Sequence, residues 1–315
     1  MKISTRFPTT LGIVMILALI PWVDRNLYHI DLLVTAGIFV LLALGLNVIV
    51  GFAGLLNLGY AAFFAIGAYT YALANLHWGI PFWPGLFLSA VVACVFGMLL
   101  AFPALRLAGD YLAIITLGFG EIVRIVLNNL DSLTGGPNGL LGIDHPAIGR
   151  YSFGVNPTPY YYLLLILCTA SALVLARLEN SRIGRAWIAM REDELAAGCM
   201  GIDLARAKLL AFGLGAAIAG MTGCLFAAKQ GTISPDSFDF ILSVMVLAMI
   251  VLGGLGSIPG AILGACVLTI LPELLREFAV YRMLLFGLAL ILMMLFRPQG
   301  LLGDIRHRDE LKEQR

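Results

Sequence analysis

From Leu32 to Leu76 the chain is apolar almost without pause, a run about twice as long as the roughly 20 residues a helix needs to cross a bilayer's hydrocarbon core. Two helices joined at Gly51-Phe52-Ala53-Gly54, near the middle of the run, are the economical reading. Further apolar runs at 11–23, 82–105, 110–130, 160–176, 209–228, 240–252, 261–275 and 283–296 bring the expectation to ten spans. Hydrophobic residues make up 60% of the 315 and charged ones 12%, against about 45–50% and 25% in soluble domains. The chain reads as an all-α polytopic transmembrane bundle of about ten spans, a single domain over residues 1–315.

The first run follows Lys2 and Arg6, as in a signal peptide. No small-residue cleavage site comes after it and another span begins at once, so it reads as a retained helix. With the N-terminus inside, 14 Lys and Arg fall on the inner side, in residues 1–7, at Arg106, in 177–208 and in a tail from Arg297, and 5 fall outside. The positive-inside rule selects this orientation, with both termini cytoplasmic.

One long, highly charged segment interrupts the apolar runs: Arg177 to Lys208, RLENSRIGRAWIAMREDELAAGCMGIDLARAK. It must sit in water between two spans. Asn180 and Ser181 are N-cap residue types, and Arg185, Trp187, Ile188 and Arg191 are read as sharing a helix face. Arg191-Glu192-Asp193-Glu194 opens a second short helix, which Gly201 ends through a left-handed conformation. Two short amphipathic helices result, a candidate docking surface unless this is the basic cytoplasmic loop that any polytopic membrane protein carries.

Polar residues inside the runs are the other places where chemistry concentrates. Asn47 and Asn57 lie among Gly45, Gly51, Gly54, Gly59 and Gly67, where small residues let helix backbones approach, as packing positions or as part of a substrate path. Glu121 and Arg124 sit three apart near the centre of the 110–130 run. An ionised side chain at mid-bilayer costs roughly 2.5–3.5 kcal/mol on insertion scales, so the pair should face the protein interior or a water-filled path. An ion pair that fixes packing, or an amphipathic helix lying at the interface, are the competing readings. On the opposite side from 177–208, Thr134-Gly135-Gly136-Pro137-Asn138-Gly139-Leu140 dictates tight turns.

The ordered run Gly184-Arg185-Ala186, Arg191-Glu192-Asp193-Glu194, Ala196-Ala197, Gly201-Ile202 and Lys208-Leu209-Leu210-Ala211-Phe212 resembles the cytoplasmic coupling loop of branched-chain amino acid ABC importer permeases. The stretches Gly45-Leu46-Asn47 through Gly67-Ala68-Tyr69 and Thr116 through Arg124, the Thr-Gly-Gly-x-Asn-Gly-Leu loop and the Arg297-Pro298-Gln299-Gly300-Leu301 ending resemble the same family in the same order. Ala197 and Gly201 keep the Ala-to-Gly spacing of the importer motif, while Leu195 stands where its Glu would be. The resemblance implies a multi-pass permease subunit in the bacterial inner membrane, moving leucine, isoleucine and valine. Its implied partners are a homologous permease, two ABC ATPase subunits and a periplasmic binding protein. Arg185, Arg191, Glu192, Glu194, Ala196, Ala197 and Gly201 would couple to the ATPase. Gly135, Gly136, Asn138 and Gly139 would meet the binding protein, unless they form an ordinary connecting loop.

Other classes fit less well. None of Lys2, Lys208, Lys229 or Lys312 follows a glycine, so no phosphate-cradling Gly-Lys loop exists and ATP hydrolysis belongs to a partner. The five cysteines and four histidines are scattered, which predicts no metal and no cofactor. The net charge of +1, with no basic patch carrying stacking aromatics, argues against nucleic acid. Asp236 and Asp239 have an Asp-x-x-Asp spacing but stand alone. A permease for urea or another small amide remains an alternative. An ion-coupled secondary transporter would share the broken helices and buried charges but has no use for an ATPase-docking loop.

Overall fold

Asn26 starts the first described long helix, its side-chain oxygen accepting from Tyr28 N at 3.1 Å and so satisfying one of the amides a helix start leaves open. The structure, a computed structural model, describes residues 15, 17–22, 26–105, 109–149, 151–274, 287 and 301. Part of the expected first span, nearly all of the tenth and nearly all of the charged tail lie outside the described residues. Residues 15 and 17–22 are helical, and Tyr161 Oη donates to Leu17 O at 2.7 Å.

The helices are α1 (Leu27–Leu46), α2 (Tyr60–Trp78), α3 (Phe82–Ala104), α4 (Asp110–Asn129), a single turn α5 (Asp131–Thr134), α6 (Pro157–Glu179), α7 (Arg182–Glu192), α8 (Glu194–Cys199), α9 (Leu204–Gln230), α10 (Phe240–Gly253) and α11 (Ile258–Leu274). Among the described residues, five helical stretches are long and apolar enough to cross a membrane: Leu27–Phe52, Phe82–Pro103, Pro157–Glu179, Leu204–Gln230 and Pro235–Gly253. Helices α2 and α4 have comparable length but more polar residues, among them Asn75 and His77 in α2, and Asp110, Glu121 and Arg124 in α4. This is an all-α membrane protein. Its only described strands are two-residue antiparallel pairs, β1 (Leu140–Leu141) with β4 (Thr232–Ile233) and β2 (Ala147–Ile148) with β3 (Tyr151–Ser152).

Helix α9 is the centre of the bundle, packing on α3, α2 and α1. Gly67 of α2 and Gly220 of α9 meet backbone to backbone, Gly223 lies on Phe64 O, and Gly215 lies on Ile49 and Gly45. Glycines at these crossings let the helix axes come close, which in a bilayer replaces the missing hydrophobic drive between helices.

Loops gather at two opposite ends, as alternate crossings require. At one end Arg191 reaches Gly51, and the α10–α11 turn closes over Asn47 through Gly256. At the far end the strand pair β1–β4 ties the 131–156 connection to the turn after α9, Trp83 Nε1 donates to Ala147 O at 3.1 Å, and the Tyr28 hydroxyl of α1 bonds Glu273 of α11.

One expected boundary moves. The second apolar helix of the 32–76 run does not start just after Gly54 but at Tyr60, and Gly54 to Gly59 is non-helical. Gly54 has φ +71°, Gly59 N donates to Asn57 Oδ1 at 2.9 Å, and Leu58 N donates to Thr116 Oγ1 at 3.0 Å. These side chains offer the buried amides partners that a helix would otherwise supply, so the break is affordable there. At the other boundary, the last residues of the charged segment already belong to α9, capped by Asp203, whose Oδ1 accepts from Arg206 N at 3.0 Å.

Candidate functional site

The charged segment folds as two short helices with their ends closed by local chemistry. Ser181 Oγ accepts from Gly184 N at 3.2 Å to start α7, and Asp193 Oδ1 accepts from Ala196 N at 2.9 Å to start α8. The end of α8 is a Schellman arrangement: Gly201 has φ +83°, its N–H bonds Gly198 O at 3.1 Å, and Ile202 N bonds Ala197 O at 3.2 Å.

Inward-facing side chains fix these helices to the bundle. Gly184, Trp187 and Met190 are buried at a spacing of three, and Trp187 Nε1 donates to Ala207 O at 2.8 Å. Arg185 is exposed and turns back to Asn180 O at 2.9 Å. The expectation that Arg185 and Trp187 share a face is therefore wrong: two residues advance a helix by about 200°, which puts them on opposite sides.

Glu194 pairs with Lys208, 14 positions on, at 2.6 Å, and the lysine side chain is only 2% exposed. Arg191 Nη1 donates to Gly51 O at 2.7 Å. Ala197 is buried beneath them. Glu192 and Ala196 face out, beside Leu195 and Met200, which are 82% and 84% exposed. The sequence reading missed Lys208 and the anchoring role of Trp187. The available signal was a lysine one turn inside an otherwise apolar helix, a position that asks for a carboxylate.

In the membrane part, Arg124 donates to Glu121 Oε2 through Nε at 3.1 Å and Nη2 at 3.0 Å, each side chain about one-third exposed. Glu121 lines a small cleft with Leu58, Ala61, Ala62, Gly120, Asp239 and Ser243. Ser243 Oγ accepts from Ala61 N at 2.9 Å, and Asp239 Oδ1 caps α10 by accepting from Leu242 N at 2.9 Å. The structure thus brings Glu121 beside the start of α2, next to Asn57. Asn47, Gly51 and Gly54 lie instead at the Arg191 end. The Nδ2 atoms of Asn47 and Asn57 are buried and find no hydrogen-bond partner among the described residues.

The 135–139 turn is at the far end. Gly135, Gly136 and Gly139 all have positive φ, Gly136 N donates to Thr134 Oγ1 at 3.3 Å, and Gly139 lies against Ile233 O. Gly136 is buried, while Pro137 and Asn138 are exposed. The glycines shape the turn and Asn138 presents a side chain.

A family model described as branched-chain amino acid transport system / permease component matches residues 28–294. This chain belongs to that permease family. It is 47% identical over 305 residues to the high-affinity branched-chain amino acid transport system permease protein LivM of Salmonella typhimurium, covering 90% of this chain and 72% of that one. The LivM of Escherichia coli matches to the same extent, and the LivH of Escherichia coli is 30% identical over 285 residues, 84% of this chain and 91% of its own. No solved structure matches. The matched family region takes in the braced two-helix segment, the Glu121 cleft and the 135–139 turn together.

Proposed function

We propose that the chain is the membrane permease subunit of an ABC importer moving leucine, isoleucine and valine across the bacterial inner membrane, driven by ATP hydrolysis in separate ATPase subunits. It pairs with a homologous permease, as the similarity to both LivM and LivH suggests, and receives substrate from a periplasmic binding protein at the Asn138 end. Ten spans with both termini cytoplasmic put the charged segment in the cytoplasm, and the 14-to-5 division of basic residues supports that orientation.

The observation that carries this reading is the water-facing segment itself: a capped pair of helices braced to α9 through Trp187 and Lys208. Such a pair moves as a body with the helix it is fixed to. Arg185, Glu192, Ala196 and Leu195 form its outer surface against the ATPase. Glu194, Ala197 and Gly201 hold its shape, and Arg191 ties it to the end of α1. Displacement by the ATPase tilts α6 and α9, which continue directly from it, and the path between the permeases opens to alternate sides.

Reconstituted vesicles holding the chain with its partner permease and ATPases should take up labelled leucine, isoleucine and valine only with ATP inside and binding protein outside. Uptake by this polypeptide alone on an ion gradient would remove the reading, and uptake of urea in place of leucine would change the substrate.

Glu121 belongs to the path in this reading, as a carboxylate available to a substrate ammonium group, with Arg124 paired to it and Asn57 next in the chain to Leu58 of the same cleft. Glu121→Ala should lower uptake at least about tenfold, the equivalent of 1.4 kcal/mol, while leaving the amount of assembled complex close to that of the parent. Equal losses of uptake and assembly would make the pair a packing device.

A further inference from the structure

Helix α7 touches the rest of the bundle in a second place, away from α9. Arg191 lies over the end of α1, where Nη1 donates to Gly51 O at 2.7 Å. A Cβ on Gly54 would come within 2.9 Å of Arg191 Cγ, and one on Gly256 within 2.7 Å of Arg191 Nη1, so this side chain fills the space between two glycine turns. Gly256 N donates to Asn47 Oδ1 at 3.0 Å.

The contact falls on an unusual piece of helix. Asn47–Phe52 is π-helical, a wide turn that inserts one residue into an α-helix and is frequent at functional sites. Ala53 N bonds Val48 O at 3.2 Å and Leu55 N bonds Ile49 O at 3.0 Å, so the widening persists to the helix end. Returning such a turn to α geometry moves everything beyond it by one residue, about 1.5 Å along and 100° around the axis. It is a discrete two-state element rather than a spring.

Beyond the π turn, Gly54 to Gly59 runs non-helically to the start of α2. The segment is only six residues long, turns at Gly54 with φ +71°, and is tied back to the helix by Leu55 N on Ile49 O. At its far end Leu58 N is bonded to Thr116 Oγ1, and Gly59 lies directly on Thr116 and Gly120 of α4. Leu58, Ala61, Gly120 and Glu121 then border one cleft. A continuous run of contacts therefore leads from α7 to the Glu121 cleft.

We infer that Arg191 is a positioning residue that links the coupling segment to the Glu121 cleft through Gly51, the π turn and the Gly54–Gly59 segment, a route separate from the tilting of α6 and α9. With Arg191 seated on Gly51 O the π turn is held and the start of α2 stays against α4. When α7 moves and the guanidinium leaves, the turn re-forms as α-helix and draws residues 54–59 with it, shifting Leu58 and Ala61 relative to Glu121. This inference rests on the ATP-driven reading above.

The test uses the full chain co-expressed with its partner permease and ATPases, carrying Ala61→Cys, with thiol labelling at residue 61 read by mass spectrometry without nucleotide and with ATP and vanadate. With Arg191 present, nucleotide should change the labelling rate by roughly fivefold or more. Arg191→Ala should abolish that change and lower uptake, while ATPase co-purification and ATP hydrolysis stay within about twofold of the parent. Arg191→Lys, which keeps the charge but not the planar fork, should respond to an intermediate degree.

A parent complex whose residue 61 ignores ATP while uptake still requires ATP sinks this inference alone, and one whose uptake is also independent of ATP sinks the ATP-driven reading with it. A responsive parent with an equally responsive Arg191→Ala variant sinks this inference alone. Loss of ATPase co-purification in Arg191→Ala also overturns it, by making the residue a docking contact. Should the alanine variant not accumulate, Arg191→Lys decides: an undiminished response is against the inference.

Discussion

Glu194→Ala should destabilise the protein by about 3 kcal/mol, the low end of the range for breaking a buried ion pair from one side. Lys208 is the reason. Its side chain is 2% exposed, and its ammonium is 2.6 Å from Glu194. Removing the carboxylate leaves a desolvated cation in a mostly apolar helix. The low end applies because Glu194 is 35% exposed, so part of the pair already meets solvent. Lys208→Met should be milder, since it strands only a carboxylate that water can reach. The double variant Glu194→Ala/Lys208→Met should recover most of the loss, because an apolar side chain suits the site once the charge is gone. Heat-induced unfolding of the purified protein, run as a double-mutant cycle, measures all three. Equal destabilisation of Glu194→Ala and the double variant would show that the ion pair is not what holds α8 to α9. The same cycle separates bracing from docking: loss of stability accompanies the first, and loss of ATPase binding alone accompanies the second.

How far the chain could be read before its structure follows from the range of the interactions. Apolar runs located α1, α3, α6, α9 and α10 to within a few residues, because length and hydropathy are local and their caps, Asn26, Asn156, Asp203 and Asp239, are local too. The two helices of the charged segment were legible for the same reason, through Ser181 at one end and Gly201 at the other. The start of α2 was not legible. It depends on Thr116 and Ser243, which are 58 and 182 residues from the amides they serve. The seat of Arg191 on Gly51 spans 140 residues and left no local trace. Glu121 and Arg124 announced a pair by their spacing. The walls around them come from 58–62 and 238–243, and only the folded chain puts those together. The 135–139 turn is the converse case. Its positive-φ glycines were readable as turn formers, while which side chain they present, Asn138, was settled by burial of the residues around it.

Gly220→Leu should remove the folded bundle altogether. Gly220 is where three helices meet: a Cβ there would collide with Ala93 Cβ and within 2.5 Å of Ser89 O on α3, while Gly67 of α2 presses its backbone on the other side. Ser89 Oγ donates to Gly67 O at 2.9 Å, so α2 and α3 are themselves tied across the contact and cannot part without losing that bond. Overpacking a core usually costs about 1–3 kcal/mol because side chains shift to make room. Here two of the three obstructions are main chain, which cannot rotate away, so the cost should exceed that range. Since α9 also carries Lys208 and Trp187's partner Ala207 at its start, displacing it would free the coupling segment as well. The variant should fail to appear as a monodisperse species in detergent, and no ATPase should co-purify. Gly118→Ala is the matched control: its Cβ would meet nothing within 4 Å and its backbone has no positive φ, so it should accumulate like the parent. A monodisperse Gly220→Leu protein would mean that α9 does not run between α2 and α3. In that case the brace at Lys208 would have no fixed helix to push against.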